Sequence, residues 1–212
     1  MIKIRSFVFN AFQENTYILY DESKECIIFD PGCNEPFEEE QVTSFIEENK
    51  LKPVRLINTH CHIDHVLGNK FIADTFNLKL EIHELELVML EAVPMVGQQY
   101  QMPVIESPKP DLYINEGDVI RFGNSSLNVL LTPGHSPGSL TFYNGKEKIA
   151  IVGDVLFQSS IGRTDLPGGN YETLIQSIRE KLMPLNDDVL VYPGHGPSTT
   201  IGAERNLNPF LQ

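Results

Sequence analysis

Seven consecutive residues, Thr59-His60-Cys61-His62-Ile63-Asp64-His65, hold three of the chain's six histidines and one carboxylate. Imidazole and carboxylate are ligands for zinc and its first-row neighbours. An apolar run, Val54 to Thr59, leads in, and a helix-like stretch, Val66 to Phe76, leads out. That order predicts a loop at the end of a buried strand. His60 and His62 are two apart, so on an extended backbone both side chains point one way. Asp64 and His65 then come from the turn into the helix and can face them. Cys61 points to the opposite side, which predicts packing rather than ligation.

The same pattern recurs in the second half, where apolar runs stop abruptly at Gly or Pro turns. Asn128 to Leu131 ends in Thr132-Pro133-Gly134-His135, Ile149 to Val152 in Gly153-Asp154, and Val189 to Tyr192 in Pro193-Gly194-His195-Gly196. Active sites of α/β folds gather at the carboxyl ends of strands. Any one of His135, Asp154 or His195 alone reads as a turn residue. Together with the first loop they form a stock of His60, His62, Asp64, His65, His135, Asp154 and His195. That exceeds what one tetrahedral ion needs and suits two ions sharing a bridging carboxylate. His83, the remaining histidine, sits between a strand and an acidic helix start and is assigned a structural hydrogen bond. Asp30 at Asp30-Pro31-Gly32 is either a turn cap or a partner that orients a ligand.

These residues need a scaffold of strands and helices. Strands are expected at the N-terminus (Met1 to Phe9), Asn15 to Tyr20, Cys26 to Phe29, Val54 to Thr59 and Leu78 to Ile82. Helices are expected over Glu35 to Lys50 and His83 to Ala92. Ala92 to Pro110 carries Pro94, Gly97, Pro103, Pro108 and Pro110 without periodicity and reads as a long irregular loop, either a lid or a plain connection. Beyond it come strands at Asp111–Ile114, Val119–Phe122, Ser126–Leu131, Ser139–Tyr143, Ile149–Val152 and Val189–Tyr192. Tyr171, Leu174, Ile175, Ile178 and Leu182 make one helical stripe that Pro184 stops. No linker or repeat interrupts the chain, so residues 1–212 read as one domain of the α/β class, two packed sheets with helices outside.

Composition narrows the partners. The net charge is −13, from 29 acidic and 16 basic residues, and no basic patch is apparent, so nucleic acid is a poor partner. No apolar run approaches a membrane span. The three cysteines, Cys26, Cys33 and Cys61, are odd in number and irregularly spaced, as free thiols in a reducing compartment are. The expectation is a cytoplasmic protein, a monomer or small homo-oligomer, with a small-molecule substrate.

His60-x-His62-x-Asp64-His65, followed by His135, Asp154 and His195, resembles the metallo-β-lactamase superfamily across most of the chain. The flanks Thr132 to Gly138, Gly153 to Phe157 and Tyr192 to Gly202 are similar to a narrower group, the glyoxalase II-like (hydroxyacylglutathione hydrolase-like) hydrolases. The resemblance implies a four-layer αβ/βα sandwich. It also implies that His60, His62 and His135 hold one ion, that Asp64, His65 and His195 hold the other, and that Asp154 bridges. The two ions are divalent, zinc first, with iron or manganese as alternatives that these ligands also accept. The chain looks like the short form of the group, without the helical C-terminal region that supplies basic contacts to glutathione. Ile161-Gly162-Arg163-Thr164-Asp165 lacks the aromatic of the long forms. Arg163 is either a fork for a substrate carboxylate or the partner of Asp165.

This site implies hydrolysis by a metal-bridging hydroxide, with Asp64 or Asp154 taking up the remaining proton. A thioester suits it, because a thiol with a pKa of about 8.5 leaves without a strong general acid. S-Lactoylglutathione or a related S-acyl thiol is therefore the expected substrate. The alternatives are another ester or lactone, or persulfide oxidation at a single iron, since persulfide dioxygenases share a stretch like Gly162-Arg163-Thr164-Asp165. A non-catalytic metal-binding scaffold would not need every ligand position filled.

Overall fold

The computed structural model describes residues 1–212, in two compact units: residues 1–113 with 121–125, and residues 114–120 with 126–212. No helix is long and apolar enough to cross a membrane.

The first unit is built on β1 (Lys3–Phe9), β2 (Glu14–Tyr20), β3 (Glu25–Phe29), β4 (Lys52–Ile57), β5 (Leu80–Ile82) and β6 (Leu112–Tyr113), six strands in sequence order across one sheet. β1, β2 and β3 pair antiparallel, and β3 to β6 pair in parallel. Alternation sorts the side chains. Phe7, Phe9, Ile18, Cys26, Ile28, Leu56, Leu80 and Ile82 share a core with the helices, while Leu19, Ile27, Phe29 and Ile57 face the other way and are equally buried. The helices are α1 (Pro36–Glu48), α2 (Ile63–Val66), α3 (Asn69–Phe76) and α4 (Leu87–Gln99). They contribute Val42 and Ile46, Ile63 and Val66, Ile72 and Ala73, and Leu90 and Val93 to that core.

The second unit carries β7 (Val119–Phe122, whose end is grouped with the first unit), β8 (Ser125–Leu131), β9 (Leu140–Asn144), β10 (Ile149–Gly153), β13 (Leu190–Pro193) and β14 (Thr199–Thr200), in the sheet order β14-β13-β10-β9-β8-β7. A two-stranded ribbon, β11 (Leu156–Phe157) with β12 (Ser160–Ile161), follows β10. Helix α5 (Tyr171–Ser177) runs on as a π-helical segment over Ile178–Leu182, and α6 (Ile201–Leu207) closes the chain. Leu174, Ile178 and Leu182 form the buried stripe, packed with Ala150, Val152, Val191 and Ile201. Tyr171, expected in that stripe, is exposed.

Two expectations change. Ala92 to Gln99 is helix, not loop: α4 continues through Pro94. Proline costs the helix a hydrogen bond, but Leu90, Val93 and Gly97 recur on one buried face, and that packing outweighs the break. The remainder, with α4, walls a cavity of about 420 Å³ lined by Leu87, Leu90, Val93, Pro94, Ser107 and Tyr113. Second, the stretch Val66 to Phe76 is two helices, broken at Gly68. There the chain passes against the turn after β3, with Gly68 N donating to Pro31 O at 2.7 Å. A Cβ at Gly68 would lie 2.4 Å from Cys33 Sγ and 2.8 Å from the Pro31 oxygen.

Gly68→Ala must therefore separate α2 from the 31–33 turn. Overpacking of this kind costs about 1–3 kcal/mol, and urea unfolding of G68A against the parent measures it. His83 yields a second prediction. Its Nδ1 accepts from Leu85 N at 3.2 Å and caps the turn before α4. Burial pulls its pKa below the ordinary value, against the pull of Glu86 and Glu84. A depressed histidine favours the neutral form in the folded chain. Its contribution is therefore complete above the unfolded value of about 6.5 and is lost as pH falls through the lower folded value. Loss of the cap in H83A should cost about 1 kcal/mol near pH 7.5, and the gap between parent and variant should narrow below pH 6.

Candidate metal centre

β3, β4 and β5 run parallel, so their carboxyl ends lie on one edge of the first sheet. Asp30 follows β3, the His60–His65 loop follows β4, and His83 to Glu86 follow β5. His60 and His65 are fully buried, Asp64 is buried and His62 is half-buried. The His60 ring lies 4.8 Å from that of His62 and 4.1 Å from that of His65. His65 Nε2 stands 3.5 Å from Asp64 Oδ2.

Buried polar groups hold this loop. Asp30 takes the left-handed conformation (φ 47°), and its carboxylate accepts from Thr59 N and Thr59 Oγ1, each at 2.6 Å. The same carboxylate lies 3.2 Å from His65 Nδ1. The His65 ring thus stands between two carboxylates, Asp30 beside Nδ1 and Asp64 beside Nε2. Asp30, His60 and His65 also offer atoms within 4.8 Å of one another, as do His60, His62 and His135, and Asp64, His65 and His195. Behind Asp30, Glu14 Oε1 is 4.0 Å from His65 Nδ1, and burial pushes the Glu14 carboxyl well above the usual glutamate range. Asn10 Nδ2 donates to Asp64 O at 2.9 Å, Asn58 Nδ2 to His65 O at 3.0 Å, and Cys61 N donates to Glu86 Oε2 at 2.8 Å. Cys61 itself packs in the core, as expected, and burial among Glu86 and Asp30 raises its thiol pKa.

The second unit repeats the device. β10 and β13 are parallel, and β8 runs the same way because β9 pairs antiparallel with both β8 and β10. His135, Asp154 and His195 follow these three strands. His135 Nε2 lies 3.6 Å from Asp154 Oδ2, and His195 Nε2 lies 3.5 Å from the same oxygen. His135 Nδ1 pairs with the Arg163 carbonyl at 2.8 Å, which aims Nε2 at Asp154. Gly162 makes that approach possible, since a Cβ there would lie 1.9 Å from Asp154 O and 3.1 Å from His135 Nδ1. The Arg163 side chain forks onto Asp165, with both bonds at 2.7 Å, and its hydrogen bonds pull the Asp165 pKa down to about 2.

These separations test whether a metal fits. The three imidazole–carboxylate distances of 3.5 to 3.6 Å are longer than hydrogen bonds, which lie at about 2.7–3.2 Å. They match the edge of a tetrahedron with metal–ligand bonds of about 2.0–2.2 Å, which is roughly 3.3–3.6 Å. Each unit therefore presents donors spaced as ligands of an ion. Asp154 Oδ2 is approached by both His135 and His195. None of the seven candidate ligands lines the 420 Å³ cavity beside α4.

Sequence reasoning missed Asn10, Glu14, Asn58 and Glu86. Only Asn58, next to the ligand loop, carried a positional hint.

Comparison with known proteins agrees with this geometry. The pattern of the metallo-beta-lactamase superfamily matches residues 9–195. The hydroxyacylglutathione hydrolase GloC of Haemophilus influenzae is 41% identical over 95% of this chain and 94% of its own. Among solved structures, the BLEG-1 B3 metallo-beta-lactamase superposes with a TM-score of 0.91 at 36% identity, covering 99% of this chain and 100% of its own. TTHA1623 in a di-iron-bound form superposes with a TM-score of 0.88 at 33% identity, covering 98% and 100%. The protein has the mixed α/β fold of these structures, belongs to the metallo-β-lactamase superfamily, and is a metallo-hydrolase of that superfamily.

Proposed function

We propose that the protein is a thioesterase for S-acyl thiols of the S-lactoylglutathione type, working with two divalent ions. His60, His62 and His135 hold one ion, Asp64, His65 and His195 the other, and Asp154 bridges them. The observation that carries the substrate class is the likeness, over nearly the full length of both chains, to a hydroxyacylglutathione hydrolase. The dinuclear reading is supported by Asp154 Oδ2 facing two imidazoles at once. Zinc is the first assignment. Iron is the alternative, in keeping with the di-iron relative. Three free and buried thiols suit a cytoplasmic setting.

Divalent ions, when bound, polarise a carbonyl and acidify water. The chain's own residues supply the rest. Asp30 and the Arg163 carbonyl fix the tautomers of His65 and His135, so each presents Nε2 to the site. Asp64 and Asp154, nearly enclosed, accept the proton lost by the attacking water. A thiolate leaving group needs no acid from the protein, whereas an amide nitrogen does. The Arg163 fork, which already grips a carboxylate in Asp165, takes the carboxylate of an anionic substrate in exchange.

Purified protein should carry close to two metal ions per chain and hydrolyse S-lactoylglutathione. The measurement is metal analysis beside thiol release, with oxygen uptake on glutathione persulfide and opening of a β-lactam as parallel arms. One iron per chain with oxygen consumption and no thiol release would replace this reading by a dioxygenase. β-Lactam turnover without thiol release would replace it by a lactamase. Asp154→Ala should lower kcat at least about 100-fold and release metal; unchanged metal content would remove the bridging role. Arg163→Ala should raise KM for an anionic thioester about tenfold with kcat within about twofold, in line with a charge-assisted hydrogen bond. Asp165→Ala, which frees the fork, should lower KM. Equal KM in all three proteins would return Arg163 to a purely structural pair.

A further inference from the structure

We propose that Glu86 is a positioning residue for the metal loop. Its carboxylate fixes the Cys61 amide, and through that amide the two imidazoles on either side. The proposal rests on the reading of His60 and His62 as ligands.

β4 ends at Ile57, so the backbone of the ligand loop has left the sheet ladder. Cys61 is nevertheless buried, at 1% exposure. A buried amide without an acceptor is costly. Glu86 Oε2 takes the place of a strand carbonyl, 2.8 Å from Cys61 N. A glutamate side-chain oxygen is a competent acceptor for such an amide. The Cys61 amide belongs to the His60–Cys61 peptide, so holding its plane sets how the chain leaves His60 and enters Cys61, the residue that leads directly into His62.

The route by which Glu86 arrives is specific. It closes the short turn Glu84–Glu86 after β5. His83 caps that turn, and Glu86 N donates to His83 O at 3.0 Å. Glu84 and Leu85 on the same turn are exposed, while Glu86 has no exposed surface. A carboxylate taken fully out of water carries a large desolvation penalty. A glutamate that merely started α4 would turn to solvent, as Glu84 does. Anchoring the centre of a ligand pair accounts for its burial. The same carboxylate ties α4, a wall of the 420 Å³ cavity, to the loop.

The test uses the metal-stripped full chain, titrated with Zn²⁺ against a competing chromophoric chelator, together with amide hydrogen exchange at Cys61. In the parent, the Cys61 amide should exchange about 100-fold slower than a free amide before any zinc is added. Glu86→Ala should abolish that protection while amides of β2 and β4 stay protected, and should weaken zinc binding about 10- to 100-fold, the range for outer-shell partners. Glu86→Gln keeps an acceptor oxygen and should restore affinity to within about threefold. An unprotected Cys61 in the parent, parental zinc affinity in folded E86A, or an E86Q as weak as E86A would each overturn the role. Should E86A fail to fold, Glu86→Asp decides: its carboxylate is one methylene short, so Cys61 protection and zinc affinity must both fall. Parental behaviour of E86D would overturn the proposal. A parent that binds no zinc would sink the ligand reading itself, whereas parental zinc affinity with Glu86 altered sinks only the tether.

Discussion

Asp30 stands one residue past β3 and reaches across to the end of β4. One oxygen accepts from the Thr59 amide, the other from the Thr59 hydroxyl, each at 2.6 Å, and the second also faces His65 Nδ1 at 3.2 Å. This carboxylate links two strand ends, sets the take-off of the loop that follows β4 and stands beside the His65 ring. Without it the Thr59 amide loses its acceptor and the His65 ring loses its orientation together. The left-handed backbone of Asp30 is part of the arrangement, because an extended residue there would continue the strand and point its side chain to a face of the sheet. Aspartate is among the residues that visit this conformation most readily.

The rest of the loop follows the same physical rule. A catalytic loop at the edge of a sheet has left the ladder but remains buried, so its peptide groups need acceptors and donors from side chains. Asn10 serves the Asp64 carbonyl, Asn58 the His65 carbonyl and Glu86 the Cys61 amide. These partners come from the turn after β1, the end of β4 and the turn after β5. The loop's geometry is therefore written by distant parts of the first unit rather than by its own seven residues. In the second unit the corresponding work falls to backbone. The Arg163 carbonyl orients His135, and the Gly153 carbonyl accepts from Gly194 N at 2.8 Å beside Asp154.

That division explains what was readable in the sequence. Candidate ligand residues stand out, because histidine and aspartate recur after apolar strands, and strand ends were visible from Gly and Pro. The strands at Asn15 to Tyr20 and Cys26 to Phe29 were legible from their apolar and aromatic residues, but not which face meets the helices, because both faces are buried. The supporting residues were not legible, because one glutamate looks like another in a string of letters. Glu84 and Glu86 lie two apart in the same acidic stretch, yet one is solvated and one fully buried. Their difference is set by the hand of a short turn capped by His83, which local composition does not encode. Pro94 misled for a related reason. Its local penalty was visible, but the burial of Leu90, Val93 and Gly97 that overrides it is tertiary.

The buried carboxylates of the first unit are met in different ways. In the first unit Glu14, Asp30, Glu38, Asp64, Glu81 and Glu86 are all buried. Glu81 is paired with Arg55. Glu38 accepts from the amides of Asn10, Asn34 and Glu35, while Asp30 and Glu86 accept from Thr59 and Cys61. Burial moves Glu14 toward its protonated form. Asp64, like Asp154 in the second unit, instead faces imidazole nitrogens at ligand–ligand rather than hydrogen-bond distance. A divalent ion would offset the charge of carboxylates so placed. Asp30 belongs to both sets, since it accepts from Thr59 and also has an oxygen within 4.8 Å of ring nitrogens of His60 and His65. Which carboxylate meets amides and which meets imidazoles is set by the fold, and the residue types alone do not reveal it.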